Sequence, residues 1–167
     1  EYVIIGHSER RQHFQESGEI VNRKVLAALK VGLKPILCVG ERLEENEAGK
    51  TEDVVAEQLR AAMDGVQELC NLAIAYEPVW AIGTGKPATG GQANGTIAFI
   101  RQNIAGKYGE KVAQETRILY GGSVNSANAA EFMQQPEIDG ALVGGASLQA
   151  KEFLSIVNQT AIIKHGK

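Results

Sequence analysis

The 167-residue chain has few of the features that would mark it for a specialised environment. It has only two cysteines, Cys38 and Cys70, without metal-type spacing and both in apolar surroundings. They read as reduced core thiols rather than a disulfide framework or a zinc site. No apolar run approaches the ~18–20 residues that a membrane-spanning helix needs, so a membrane protein is excluded. The 17 basic side chains are outnumbered by 20 acidic ones, and a net charge of −3 gives no electrostatic footprint for nucleic acid. No linker, low-complexity segment or composition shift divides the chain, so residues 1–167 read as a single domain. A leading Met is also missing. The chain opens Glu1-Tyr2-Val3-Ile4-Ile5-Gly6, as though already inside a strand.

What remains is ordinary globular composition, 44% hydrophobic and 22% charged, with a strong alternation of elements. Apolar runs lie at Val3 to Gly6, Pro35 to Val39, Ala73 to Glu77, Arg117 to Tyr120 and Gly140 to Val143. Each reads as a strand buried on both faces of a parallel sheet. Helical stripes separate them. Val21, Val25, Ala28 and Leu29 end at Gly32, and Val55, Leu59, Ala62 and Met63 follow an N-cap at Thr51. Ala93, Ile97, Ile100 and Ile104 form a third stripe, and Ala129, Phe132 and Met133 a short fourth after Ser126. Phe153, Ile156, Val157 and Thr160 are expected to face inward on the last helix. Five strand–helix repeats predict an α/β fold of right-handed βαβ units around a parallel sheet.

In such folds ligands bind beyond the carboxyl ends of the strands. Glu77 stands there, with Pro78 restricting its backbone. Partial burial would raise its pKa toward that of a working general base, and a strand-end ion pair is the plainer alternative. His7 follows the first strand, where a structural histidine is the alternative to catalysis, and Ser8 is a candidate cap for the next helix. His13 and His165 fall in polar segments and are expected to be exposed. Gly83, the Gly122-Ser123 pair and the Gly144-Gly145 pair offer backbone N–H groups to an anion at the same end. The stretch Pro78 to Lys86, with Trp80 and two glycines, suits a lid. It is neither a P-loop, since Pro87 replaces the required Ser or Thr, nor a dinucleotide fingerprint, since Ala88 holds the third glycine position.

The runs Tyr2 to Arg11, Tyr76 to Lys86, Tyr120 to Val124 and Gly140 to Leu148 closely resemble the triosephosphate isomerase family, in the same order over essentially the whole chain. The resemblance implies a (β/α)8 barrel and the interconversion of dihydroxyacetone phosphate and glyceraldehyde 3-phosphate in glycolysis and gluconeogenesis. It implies no cofactor, no metal, a triose phosphate substrate and a cytoplasmic homodimer. Carried over, Glu77 looks like the proton-shuttling base and His7 like the neutral electrophile. Gly83, Ser123, Gly144 and Gly145 match phosphate-binding positions, and Glu9 and Glu41 resemble supporting carboxylates that position other groups. Gly95, inside a helix, stands where related sequences often carry a helix former.

The five strands look like the fourth to eighth of that barrel, so the expectation is an incomplete barrel, truncated before Glu1. The family's asparagine and lysine after the first strand, and the dimer-docking loop after the third, would then be missing. Two readings stay open on this basis: a partial chain of an active isomerase, or a fragment that at most binds phosphate and tends to self-associate through open sheet edges. A different phosphosugar-handling barrel is disfavoured by the lid motif.

Overall fold

The computed structural model describes residues 1–82 and 88–165, the latter without the side chain of His165. Five strands form one sheet: β1 (Tyr2–Ile5), β2 (Lys34–Val39), β3 (Ala73–Tyr76), β4 (Ile118–Tyr120) and β5 (Gly140–Ala141). Among the described residues eight helices connect and follow them: α1 (Ser8–His13), α2 (Gly18–Lys30), α3 (Leu43–Glu47), α4 (Thr51–Ala62), α5 (Gly90–Tyr108), α6 (Glu110–Glu115), α7 (Ala129–Met133) and α8 (Ala150–His165). Short 3-10 turns cover Val79–Ala81 and Gly145–Leu148.

All pairings are parallel, and the spatial order is the chain order, β1-β2-β3-β4-β5. A doubly wound sheet reverses direction at a switch point, whereas strands added in strict sequence build a barrel wall. This is that wall, an incomplete α/β barrel of five βα units. Ile5, Leu37, Ile74 and Ile118 occupy successive register positions and are all buried on one face. That face meets the helices, whose expected stripes are in place: Val21 and Val25, Val55 and Leu59, and Ala93, Ile97, Ile100 and Ile104 are all core. On the other face the cover is thinner, and Ile4 is 47% exposed.

Four expectations need correction. Cys38 is buried in β2, but Cys70 is exposed in the α4–β3 connection, so only one thiol belongs to the core. On α8, Ile156 is buried, whereas Phe153 (42%) and Val157 (46%) are exposed, because hydrophobic spacing marks a face that can be covered and not whether it is. Thr51 is the first helical residue of α4 rather than its cap. Lys50 holds the cap position without a side-chain bond, while the Thr51 hydroxyl oxygen accepts from Asn46 Nδ2 at 3.2 Å. The last strand stops at Ala141, two residues short of the expected end. His13 is exposed as expected.

Arg101, buried on α5, ties the wall's far side together. It donates to the carbonyls of Ala113, Thr116 and Glu137 and to the carboxylates of Glu137 and Asp139. Asp139 in turn accepts from the Ile118 N–H at 2.7 Å, which sets the register at the start of β4.

Gly95 lies within α5, and a Cβ built there meets nothing within 4 Å. Gly95→Ala is therefore expected to stabilise the chain by roughly 0.5–1 kcal/mol, through reduced entropy of the unfolded state. Equilibrium unfolding in urea, comparing midpoints at equal slope, checks this.

Candidate active site

The carboxyl ends of the strands gather the polar residues. Gly6 turns the chain out of β1 with φ +76, a backbone conformation glycine adopts without strain. His7 then becomes the cap of α1, replacing the expected Ser8, which is the first helical residue. His7 Nδ1 accepts from the Glu9 N–H at 3.3 Å. With Nδ1 an acceptor, the neutral ring carries its proton on Nε2. That nitrogen lies 3.1 Å from Glu77 Oε1, so His7 donates to the carboxylate. Glu9 thus acts through its backbone, and its side chain is exposed.

Glu77 follows β3 and extends the ladder, its N–H donating to the Val39 carbonyl at 2.8 Å. Its side chain is 3% exposed. Oε2 accepts from the Ser8 N–H at 2.9 Å, across 69 residues of sequence. Two glycines make the slot. A Cβ at Gly40 would lie 1.8 Å from the Glu77 carbonyl oxygen, and one at Gly121 would lie 2.9 Å from Glu77 Cγ. Burial drives the Glu77 pKa above its ordinary value, against the opposing pull of His7, Ser8 and Cys38. The neighbouring Cys38 thiol is pushed well up by burial and by the Glu77 charge, so it stays protonated.

The second buried carboxylate is Glu41, just past β2. It accepts from Trp80 Nε1 at 2.7 Å, from the Tyr76 hydroxyl at 3.2 Å and from Asn46 Nδ2 at 3.1 Å. The Tyr76 hydroxyl pKa is raised by burial and by this negative neighbour. Glu41 also takes the Val79 N–H on its own carbonyl at 3.0 Å. The first part of the Pro78–Lys86 stretch is therefore anchored to β2. It is tied on the other side as well, the Ser123 hydroxyl donating to the Ala81 carbonyl at 2.8 Å. Gly83 and Lys86 lie outside the described residues.

A cavity of about 790 Å³ opens between these groups. His7, Glu77 and Ile82 line it together with the Gly121-Gly122-Ser123 and Gly144-Gly145 segments. Leu142 adds apolar lining. Gly122 has no alternative, since a Cβ there would sit 2.2 Å from the Tyr120 hydroxyl oxygen. Among the described residues no group of three or more His, Cys, Asp or Glu side chains is arranged to hold a metal ion. No helix among them is long and apolar enough to cross a membrane.

The structure thus brings His7, Glu77, Ser123, Gly144 and Gly145 around one cavity and sets Glu41 behind the Val79–Ala81 turn. The sequence reading missed the Ser8 N–H, Gly40 and Gly121 around Glu77, and Ile82 and Leu142 as lining. Gly40 and Gly121 each stand next to a strand end, and that position was the available signal. The Ser8 contact has no local trace.

A barrel wall whose strand ends bring a buried Glu77 and a half-buried His7 to a cavity that two glycine-rich loops also line is the arrangement of a candidate acid–base site. Comparison with known proteins narrows the class. A family model described as triosephosphate isomerase matches residues 1–160. Three curated relatives, each named triosephosphate isomerase, are similar throughout. The one from Alkaliphilus oremlandii is 57% identical over 160 residues, 95% of this chain and 64% of the relative. That from Dehalococcoides mccartyi is 55% identical over 165 residues, 99% and 65% respectively. That from Caldanaerobacter subterraneus subsp. tengcongensis is 58% identical over 159 residues, 94% and 64%. The chain belongs to the triosephosphate isomerase family. It spans about 65% of the length of these relatives.

The raised Glu77 pKa has a stability consequence. Above the ordinary carboxylate range the unfolded chain gives up a proton that the folded chain tends to keep. Stability from this group therefore falls as pH rises through the folded-state pKa. Glu77→Gln keeps an acceptor oxygen and removes the buried charge. Its unfolding midpoint is expected to exceed that of the unmodified chain at pH 7, with the gap closing below pH ~4, measured by thermal unfolding across pH.

Proposed function

We propose that the protein is a triose-phosphate isomerase, interconverting dihydroxyacetone phosphate and D-glyceraldehyde 3-phosphate through an enediolate, as the names of its relatives suggest. The single observation that carries the reading is the His7 Nε2–Glu77 contact of 3.1 Å on the wall of the cavity. Glu77 removes a proton from the carbon beside the substrate carbonyl, and its raised pKa suits a base that must also return that proton to the neighbouring carbon. His7 offers Nε2–H to the carbonyl oxygen. In the structure Glu77 occupies that donor, so substrate binding exchanges the carboxylate for the carbonyl at His7 and frees Glu77 to turn inward.

The phosphate is assigned to the N–H groups around Ser123, Gly144 and Gly145, with Gly83 joining them from the lid. The lid, rooted on Glu41 and Ser123, closes over the enediolate. Excluding water there strengthens the hydrogen bonds to developing charge and protects the intermediate. No cofactor or metal enters these steps. A role in glycolysis and gluconeogenesis, a cytoplasmic location and a homodimer complete the proposal.

A second reading concerns this chain by itself. Among the described residues no Lys or Arg side chain lines the cavity, so none of these residues offers such a cation to the phosphate dianion. Charge-assisted hydrogen bonds contribute about 1.5–3 kcal/mol each, and lacking one weakens both binding and turnover.

The test measures isomerase turnover of the chain alone and with a polypeptide carrying the three further βα units that the family resemblance implies for a closed barrel. Turnover is expected near background for the chain alone and to rise on addition. Glu77→Asp or His7→Gln is expected to lower the restored turnover by about 10²–10⁴-fold, the range for a positioned acid or base. Full turnover by a monomeric chain alone contradicts the second reading, and unchanged turnover in both variants contradicts the roles of Glu77 and His7.

A further inference from the structure

The two amide-bearing loops of the cradle come from different strands, and something must hold them at a fixed separation. The loop after β5 runs through the 3-10 turn Gly145–Leu148 directly into α8. The loop after β4 is stiffened within itself. Asn128 Nδ2 donates to the Ser123 carbonyl at 3.1 Å, Asn128 Oδ1 accepts the Asn125 N–H at 2.8 Å, and Asn125 Oδ1 accepts the Ala127 N–H at 2.9 Å. That rigid piece is gripped from α8. Glu152 Oε2 accepts the Ser126 N–H at 3.1 Å, and Gln159 Nε2 donates to the Ser126 carbonyl at 2.8 Å. The gripping residues are seven apart, about two helical turns, and so stand in line on one face. Holding both the N–H and the C=O of one residue fixes its direction as well as its place.

We propose that Glu152 and Gln159 are positioning residues that lock the Gly122-Ser123 loop to α8 and so set the span of the phosphate cradle. The proposal rests on the reading of this cavity as a phosphate site. The Ser126 N–H and hydroxyl hold the Glu152 carboxyl below its usual range, which keeps it an ionised acceptor at neutral pH. Backbone donors grip an anion only when aligned within a few tenths of an ångström, so a loop that drifts loses affinity before it loses fold. A carboxylate at the rim of an anion site also repels the anion. The uncharged Gln159 separates the two effects.

The test titrates the chain with inorganic phosphate at constant ionic strength, followed by calorimetry, at a temperature where circular dichroism shows every variant folded. Gln159→Leu and Glu152→Ala are each expected to weaken phosphate, and the double variant to weaken it by about tenfold, the scale of one misaligned charge-assisted hydrogen bond. Glu152→Gln, which keeps an oxygen for the Ser126 N–H, is expected to retain most of the affinity. Lower unfolding midpoints with unchanged phosphate affinity assign both residues to the fold alone and overturn the proposal. Tighter binding in Glu152→Ala with no change in Gln159→Leu leaves only repulsion and overturns it too. If the unmodified chain binds no phosphate, the reading of the cavity fails and the proposal falls with it, an outcome distinct from the other two.

Discussion

A carboxylate taken out of water must find donors already waiting, and the arrangement around Glu77 follows from that constraint. Its donors include the Ser8 N–H in the first turn of α1 and His7 Nε2. The His7 proton is on that nitrogen because Nδ1 is committed to the Glu9 N–H. Gly40 and Gly121 have no side chains because the Glu77 backbone and Cγ occupy the space. Strands β1 to β4 must therefore end in register for this one side chain to be held.

Two buried carboxylates stand just past neighbouring strands. Glu41 has Trp80, Tyr76 and Asn46 as donors and anchors the Val79–Ala81 turn. Glu77 accepts from His7 Nε2 and the Ser8 N–H, with the Ser8 hydroxyl and the Cys38 thiol beside it, and burial still drives its pKa up. A carboxyl kept from water in this way is poised to take a proton, at the expense of fold stability at neutral pH.

Much of this was legible in the sequence. Runs such as Pro35 to Val39 and the Ala93–Ile104 stripe announce elements that sheet register and helix packing then use, and Glu77 and His7 were exposed as candidates by standing just past strands. What was not legible lies in contacts between distant segments. The Ser8–Glu77 bond spans 69 residues, and the clip on Ser126 joins it to Glu152 and Gln159 on α8. Periodicity also says nothing about whether a neighbour is present, which is why Phe153, Val157 and Cys70 proved exposed. The cap at His7 was missed for a related reason: an imidazole accepts from the helix's N–H only in one rotamer and tautomer, which the sequence does not encode.

The central claim is that Glu77 is a buried carboxylate poised to accept a proton. A titration of its side-chain carboxyl by carbon-13 nuclear magnetic resonance, on the folded chain, tests this most directly. The account predicts a midpoint above the ordinary glutamate range, accompanied by a response at the His7 ring nitrogens. A midpoint within or below that range, with the His7 signals unmoved, would contradict it.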